Sequence, residues 1–228
     1  MKTIGLLGGM SWESSLSYYK LINENTNKIL GSQNNSKSVM VTVNFEDIEK
    51  LQHQNKWDEA SNILIKACKD LQNAGADFII ICTNTMHKLL PQIKPHIDIP
   101  FLHIAKATAN EINKKNKKNI LLLGTKFTMS EDFYKEVLIK ENINVSIPTQ
   151  KDMNIIHNII YNELCLGLIN EVSKQIYLDI INKQLNIDGV ILGCTEIGML
   201  ISQNDLDIEV FDTTKIHALK AVEEALKP

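Results

Sequence analysis

Short apolar runs alternate along this chain with longer segments whose apolar residues recur every three or four positions. The runs at 3–7, 39–43 and 77–81 have the length and composition of buried β-strands, and residues 58–73 have the spacing of an amphipathic helix. The same alternation resumes at 119–123 and continues through the second half of the chain. Strands that alternate with helices predict parallel sheets covered by helices.

Two segments of the chain read as copies of each other. They are ADFIIICTNTMHKLL at 76–90 and IDGVILGCTEIGMLI at 187–201. Aligned without a gap, Asp77 matches Asp188 and Thr83 matches Cys194. Each copy is a buried strand that ends in small polar residues, and parallel strands present such residues at the carboxyl edge of the sheet, where open α/β sheets bind ligands. The duplication predicts one cleft with a reactive side chain on each wall.

The start of each half is repeated as well. TIGLLGGMSWE at 3–13 is similar to NILLLGTKFTM at 119–129, and both read as a strand, a glycine turn and a helix. We therefore predict an α/β protein with two pseudosymmetric three-layer α/β/α domains, mainly parallel sheets and an active site in the cleft between them. The predicted domains are residues 1–98 plus 209–228, and residues 99–208.

Composition removes several classes of function. The net charge is −3, with no long basic or acidic block, which argues against nucleic acid or an anionic membrane as partner. The four cysteines include no CxxC pair, which argues against zinc or a disulfide framework and favours a reduced, cytoplasmic setting. The N-terminal apolar stretch is too short for a signal peptide, and no run is long enough to span a membrane.

All 24 basic residues are lysine. A bound carboxylate therefore cannot be held by the bidentate guanidinium fork. Lysine, hydroxyls, amides or backbone N–H groups at helix ends must serve instead. The Gly8–Gly9 turn suits an anion, but it matches neither nucleotide-binding glycine motif, and a simple tight turn is an equal reading.

Cys194 is the first candidate for chemistry, because it follows a strand and precedes a predicted helix. A helix N-terminus lowers the pKa of a thiol, and Glu196 is placed to orient that thiol or accept its proton. A buried structural cysteine is the alternative. Cys82 is expected to face the protein interior, since neighbouring strand residues point to opposite faces and Thr83 is assigned to the cleft.

The remaining candidates have plainer interpretations. Cys68 is predicted to be core, and Cys165 to be packing, with the cleft as its alternative. We expect His87 and His217 in surface or capping roles, since neither has a Ser or Asp partner at a revealing spacing.

Four motifs occur in order along nearly the whole chain: IGLLGGMSWES, CTNTMH, LLGTKFTM and GCTEIGML. In these the sequence resembles the cofactor-independent aspartate/glutamate racemase family, and within it the broad-specificity racemases of the L-aspartate/glutamate-specific type. The resemblance implies a two-base mechanism in which one cysteine from each domain faces the substrate α-carbon, without pyridoxal phosphate or metal. It also implies a homodimer and a small acidic amino acid as the only partner.

The resemblance assigns roles residue by residue. Cys194 matches the second family cysteine, and Thr83 stands where the family has the first. A hydroxyl is far less acidic than a thiol, so Thr83 is expected to donate a proton rather than remove one, with Cys194 as the thiolate base toward the L-enantiomer. Glu196 is the supporting residue. The implied substrate contacts are Met10, Gln52, Asn84, Thr85, Thr125, Thr128 and Thr195.

Two other readings stay open from the sequence. A related enzyme could isomerise or decarboxylate a small dicarboxylate with a cysteine at one or both strand ends. A binding protein that has lost half of its acid/base pair is the second, and the threonine at position 83 is the feature that supports it.

Overall fold

The computed structural model describes residues 1–228 as alternating strands and helices. The strands are β1 (Ile4–Gly8), β2 (Ser38–Thr42), β3 (Phe78–Ile81), β4 (Asn119–Gly124), β5 (Asn144–Ser146), β6 (Gly189–Gly193) and β7 (Glu209–Asp212). The α-helices are α1 (Trp12–Leu30), α2 (Phe45–His53), α3 (Trp57–Asn73), α4 (Leu90–Ile93), α5 (Ile104–Lys114), α6 (Lys126–Ser130), α7 (Asp132–Lys140), α8 (Gln150–Asn162), α9 (Glu171–Asn182), α10 (Ile197–Leu200) and α11 (Thr213–Ala225). None of these helices has the length and apolar composition that crossing a membrane requires.

The chain divides into two compact units. The first unit is Met1–Ile104 with His217–Pro228, and the second unit is Ala105–Ile216. The division differs from the predicted one at 98/99 and 208/209. Residues up to Ile104 stay with the first unit because Phe101 forms a parallel bridge with Ile79 of β3. Residues 209–216 stay with the second unit because β7 pairs with β6.

The first unit is built on a parallel sheet of order β2-β1-β3. Leu7, Ile79 and Ile81 pack on one face against α3. Leu6 and Ile80 pack on the other face, where the helices are α1 and α11. Alternate strand residues thus enter opposite cores, which makes this unit the expected three-layer α/β/α sandwich.

The second unit has a parallel sheet of order β5-β4-β6-β7. Leu121 and Leu123 of β4 and Val190 and Leu192 of β6 form one core with α8 and α9. The intervening residues of both strands, such as Leu122, are also fully buried. Both units therefore have mainly parallel sheets with flanking helices, as the sequence pattern predicts.

The internal duplication is visible in matching hydrogen bonds. Asp77 Oδ2 accepts a bond of 2.6 Å from the backbone N–H of Thr3, just before β1. Asp188 Oδ2 accepts one of 2.8 Å from Asn119, the first residue of β4. Thr3 and Asn119 occupy the same place in the two copies. Each aspartate thus links the start of one strand, β3 or β6, to the start of its neighbour, β1 or β4.

Candidate active site

The predicted residues of the first unit collect at the carboxyl edge of its sheet. Met10 follows β1, and Thr83 to Thr85 follow β3. The two strands are parallel neighbours, with Leu7 in register with Ile81, so the segments after them meet at one edge. Gln52 reaches this edge from α2, where its Nε2 lies 3.9 Å from Met86 Sδ.

Three details of the structure define that placement. The segment at 44–57 contains helix α2, whose Ile48 is fully buried. Cys82 is fully buried and packs in the core between the sheet and α1, which confirms that it faces the interior. Ser14 of α1 donates to the carbonyl of Cys82 over 2.8 Å and so fixes the start of the helix beside the turn.

Thr83 lies at this edge of the sheet, with 9% of its surface exposed. Its backbone carbonyl accepts a hydrogen bond of 2.9 Å from Nδ1 of His87. Its hydroxyl is not committed to any bond within the protein, and a hydroxyl of that kind is available as a proton donor. Asn84 and Thr85, the next two residues, are also buried.

His87 and His217 do not lie on the surface, and the expectation of surface roles is wrong. His217 is fully buried. Its Nε2 donates to the Leu102 carbonyl over 2.9 Å, and its Nδ1 accepts from the Tyr18 hydroxyl over 2.8 Å. Burial lowers the pKa of His217 to about 4, and burial likewise lowers the pKa of His87, with His103 and His217 nearby as further causes. Both imidazoles are therefore neutral at physiological pH.

Glu13 is a further buried acid that the motifs did not single out as a functional residue. It lies in the first turn of α1 with only 7% of its surface exposed, and its Oε2 has no hydrogen-bond partner. A buried polar atom without a partner is uncommon and calls for an explanation, such as a bound group. Its neighbour Ser14 touches the Cys82 carbonyl, so Glu13 belongs to the same sheet edge as Thr83.

The predicted residues of the second unit collect at the matching edge of its sheet. Thr125 and Thr128 follow β4, and Cys194 with the two residues after it follows β6. Thr125 caps α6, since its hydroxyl accepts from the backbone N–H of Thr128 over 3.3 Å. The strands approach so closely that a Cβ on Gly124 would stand 2.7 Å from the Gly193 carbonyl oxygen. Glycine at position 124 therefore lets the ends of these two paired strands lie this close together.

Cys194 and Glu196 form a buried pair at this edge. The Cys194 thiol donates to Glu196 Oε2 over 2.9 Å, and the Thr195 hydroxyl donates to the same oxygen over 2.9 Å. Glu196 is 2% exposed and Cys194 is 8% exposed. The arrangement links a potential base to a carboxylate that can take its proton.

The resting thiol differs from the sequence expectation in its ionisation. Burial raises the pKa of Cys194 well above its ordinary value, and the charge of Glu196 adds to that rise. The expected lowering by a helix N-terminus is wrong, because α10 is only four residues long and begins after Glu196. Cys194 is thus a neutral thiol at rest, and a proton acceptor is needed to ionise it.

The other cysteines have structural positions. Cys68 is fully buried in α3, as predicted. Cys165 lies in the 3-10 turn Leu164–Leu166 and packs, partly buried, against the core that contains Cys194. No group of three or more His, Cys, Asp or Glu side chains is arranged to hold a metal ion.

Comparison with known proteins matches this chain to Asp/Glu racemases over its whole length. Residues 7–221 match the model of the Asp/Glu/Hydantoin racemase family. A Yersinia pestis structure provisionally named an Asp/Glu racemase is 43% identical, with full coverage of both chains and a TM-score of 0.91. An aspartate racemase homologue from Pyrococcus horikoshii is 35% identical, again with full coverage of both, at a TM-score of 0.87. An aspartate racemase from Picrophilus torridus is 25% identical at a TM-score of 0.82, with 100% of this chain and 96% of that one covered. The chain belongs to the Asp/Glu/Hydantoin racemase family.

Proposed function

We propose that this protein racemises aspartate and glutamate without pyridoxal phosphate, acting on the L-enantiomer through Cys194. The observation that carries the proposal is the hydrogen bond of the Cys194 thiol to Glu196 at the end of β6. Thr83 follows the duplicated strand β3 and gives the second half of an acid/base pair.

The first step is formation of the base. The Cys194 S–H bond breaks and its proton moves to Glu196 Oε2, over the 2.9 Å hydrogen bond already present. Thr195 holds the same oxygen and keeps the carboxylate in place. The thiolate then takes the α-proton of the L-amino acid, and the electron pair of the C–H bond delocalises into the α-carboxylate.

The second step is protonation from the opposite face. The Thr83 O–H bond breaks as its proton moves to the α-carbon, where the delocalised electron pair forms the new C–H bond. The threonine oxygen then takes a proton from solvent, and Glu196 releases to solvent the proton it took from Cys194, which restores both groups. A hydroxyl donates readily to a strongly basic carbanion but cannot rest as an anion at neutral pH. We therefore propose that removal of the α-proton from the D-enantiomer, which requires Thr83 as base, is the harder half of the cycle.

Recognition of the substrate must proceed without arginine. We propose that the hydroxyls of Thr85, Thr125 and Thr128 and the amides of Gln52 and Asn84 bind the two carboxylates. Met10 and Thr195 complete the surroundings through their backbone and side chains. The substrate ammonium needs an anionic acceptor, and Glu196 already accepts two hydrogen bonds. Glu13, with its buried Oε2 unpartnered, is the acid we assign to the ammonium.

Proton NMR in D₂O with each enantiomer of aspartate and glutamate tests this function. We expect loss of the α-proton signal from the L-forms, and appearance of the D-forms when the same samples are separated by chiral chromatography. Cys194→Ala should abolish both changes while still binding aspartate. Retained binding without any exchange in the intact protein would favour a non-catalytic binding protein. Faster exchange from the D-form than from the L-form would contradict the assignment of base and donor.

A further inference from the structure

The His87 imidazole joins two segments of the first unit that lie far apart in sequence. Its Nδ1 is 2.9 Å from the Thr83 carbonyl oxygen. Its Nε2 is 3.2 Å from the backbone nitrogen of Ile104, at the start of α5. A carbonyl only accepts and a backbone N–H only donates, so these partners fix the neutral tautomer with the proton on Nδ1.

The ring supplies a donor to the Thr83 carbonyl that the local backbone does not supply. The 3-10 turn Thr85–Leu89 starts with the bond from the His87 N–H to the Asn84 carbonyl, over 3.1 Å. Thr83 precedes that turn, so its carbonyl needs a partner from a side chain. The imidazole provides it from within the turn, four residues along the chain.

The ring is also held against rotation by its neighbours. His87 is 3% exposed, and the His103 ring lies 4.6 Å from it between centroids. The His217 ring lies 6.0 Å away in an edge arrangement and is itself fixed by Tyr18 and Leu102. A side chain packed on several sides and bonded through both nitrogens has one orientation, and that orientation sets the position of the Thr83 carbonyl.

We propose that His87 is a positioning residue for Thr83, which holds the threonine backbone so that its hydroxyl meets the substrate α-carbon. The inference rests on the proposed function, and it adds a role that the cysteine and threonine alone do not explain. In this role His87 acts through the carbonyl of Thr83 and not by contact with the substrate. Misplacement of a reacting group by about 1 Å is enough to cost roughly 100-fold in rate.

Two substitutions separate the two hydrogen bonds of the ring. In His87→Asn, the amide NH₂ takes the place of Nδ1–H and keeps the bond to Thr83, while the acceptor for Ile104 is lost. In His87→Gln, the amide oxygen takes the place of Nε2 and keeps the bond to Ile104, while the donor to Thr83 is lost. Both variants remove the ring and its packing, so each serves as the control for the other.

The readout compares the two faces of the substrate. Deuterium exchange of L-aspartate with retention of configuration reports Cys194, whereas conversion to D-aspartate requires Thr83 as well. We expect His87→Gln to lower conversion by about 10- to 100-fold and to leave exchange with retention within about twofold of the wild type. We expect His87→Asn to recover most of the conversion. Nitrogen-15 NMR of the wild-type imidazole should report a protonated Nδ1.

The outcomes discriminate between the inference and the function it rests on. Equal loss of exchange and conversion in His87→Gln, or the same loss in both variants, would show a structural role only and overturn the inference. A proton on Nε2 rather than Nδ1 would overturn the hydrogen bond on which it stands. No exchange from either enantiomer in the wild type would overturn the proposed function, and this role with it.

Discussion

The Cys194 thiol and the Glu196 carboxylate lie 2.9 Å apart, and the thiol is the donor. The pKa of the thiol is raised by its burial and by the charge of this carboxylate. The same contact therefore keeps the sulfur protonated at rest and, in the proposed mechanism, offers the group that removes its proton when substrate arrives. Removal of the carboxylate charge should therefore make the thiol easier to ionise and yet slow the reaction, and both effects can be measured.

Glu196→Gln should lower the pKa of Cys194 and yet slow the reaction. The glutamine carries no charge to oppose a thiolate, so alkylation of Cys194 by iodoacetamide should reach its half-maximal rate at lower pH than in the wild type. The turnover number should fall by about 100-fold, because no base remains to take the thiol proton. Glu196→Asp, which keeps a carboxylate, is the control. A glutamine variant with unchanged turnover would exclude proton transfer to this carboxylate.

Thr83→Val should uncouple exchange from racemisation. Valine has nearly the shape of threonine but no hydroxyl, so protonation from that face should fall by about 100-fold or more. Exchange of the L-aspartate α-proton through Cys194 should continue. The comparison variant is Thr83→Cys, which supplies a more acidic donor and should speed exchange from D-aspartate. Loss of L-aspartate exchange in the valine variant would argue against separate roles for the two side chains.

Glu13→Gln should weaken binding of aspartate but not of succinate, which has both carboxylates and no ammonium. The expected loss for aspartate is about 10- to 100-fold in the dissociation constant, the usual range for a charge-assisted hydrogen bond. Titration calorimetry with the two ligands measures the difference. Equal weakening of both ligands would mean that Glu13 only supports the local structure.

The buried His217 should make the free energy of unfolding depend on pH. Its pKa is about 4 in the folded protein, where Tyr18, His87 and His103 surround it, and it returns to about 6.5 on unfolding. Between these values the unfolded chain binds more protons than the folded one. The contribution of His217 to the free energy of unfolding is therefore fully present above about pH 6.5 and is lost as the pH falls toward 4. The full effect is about 3 kcal/mol.

Urea denaturation at about pH 7.5 and about pH 5 measures that change. His217→Gln is the comparison, since an amide can donate to Leu102 but does not titrate. The glutamine variant should lose less stability over this interval than the wild type. An equal loss in both proteins would assign the pH dependence to other groups.

Gly9→Ala should destabilise the first unit strongly. Gly9 has φ +90°, and a Cβ at this position would overlap the backbone of Val43. Strain and overlap together should cost about 3 kcal/mol or more in the free energy of unfolding. Gly31→Ala is the matched control, because Gly31 has φ +72° but nothing within 4 Å of its added Cβ. That change should cost only about 1 kcal/mol. Similar losses in the two variants would contradict a steric requirement at Gly9.

The sheet edges could be predicted from the sequence because their signals are local. A buried strand followed by small polar residues places Thr83 and Cys194 at carboxyl edges, and alternation along β3 sends Cys82 to the interior. Both features rest on neighbouring residues, and the duplication repeats them in the other unit. The structure confirms the interior position of Cys82.

Other features depend on contacts that sequence spacing does not reveal. His217 binds Tyr18 across 199 positions of the chain, so no local pattern marks it as buried. Membership of β7 in the second sheet depends on its pairing with β6, which the order of elements alone leaves open. The sequence pattern also fails to predict the ionisation of Cys194, because burial and a nearby carboxylate outweigh the dipole of a four-residue helix.

Because of helix α11, the two units can complete their cores at different times during synthesis. Ala218, Ala221 and Val222 of this helix belong to the core of the first unit, and the backbone N–H of Lys2 donates to the Ala225 carbonyl. The ribosome makes these residues after the whole of the second unit has been translated. The second unit can therefore acquire its core while one face of the β2-β1-β3 sheet still lacks its final cover, so the half of the protein that is begun first is finished last.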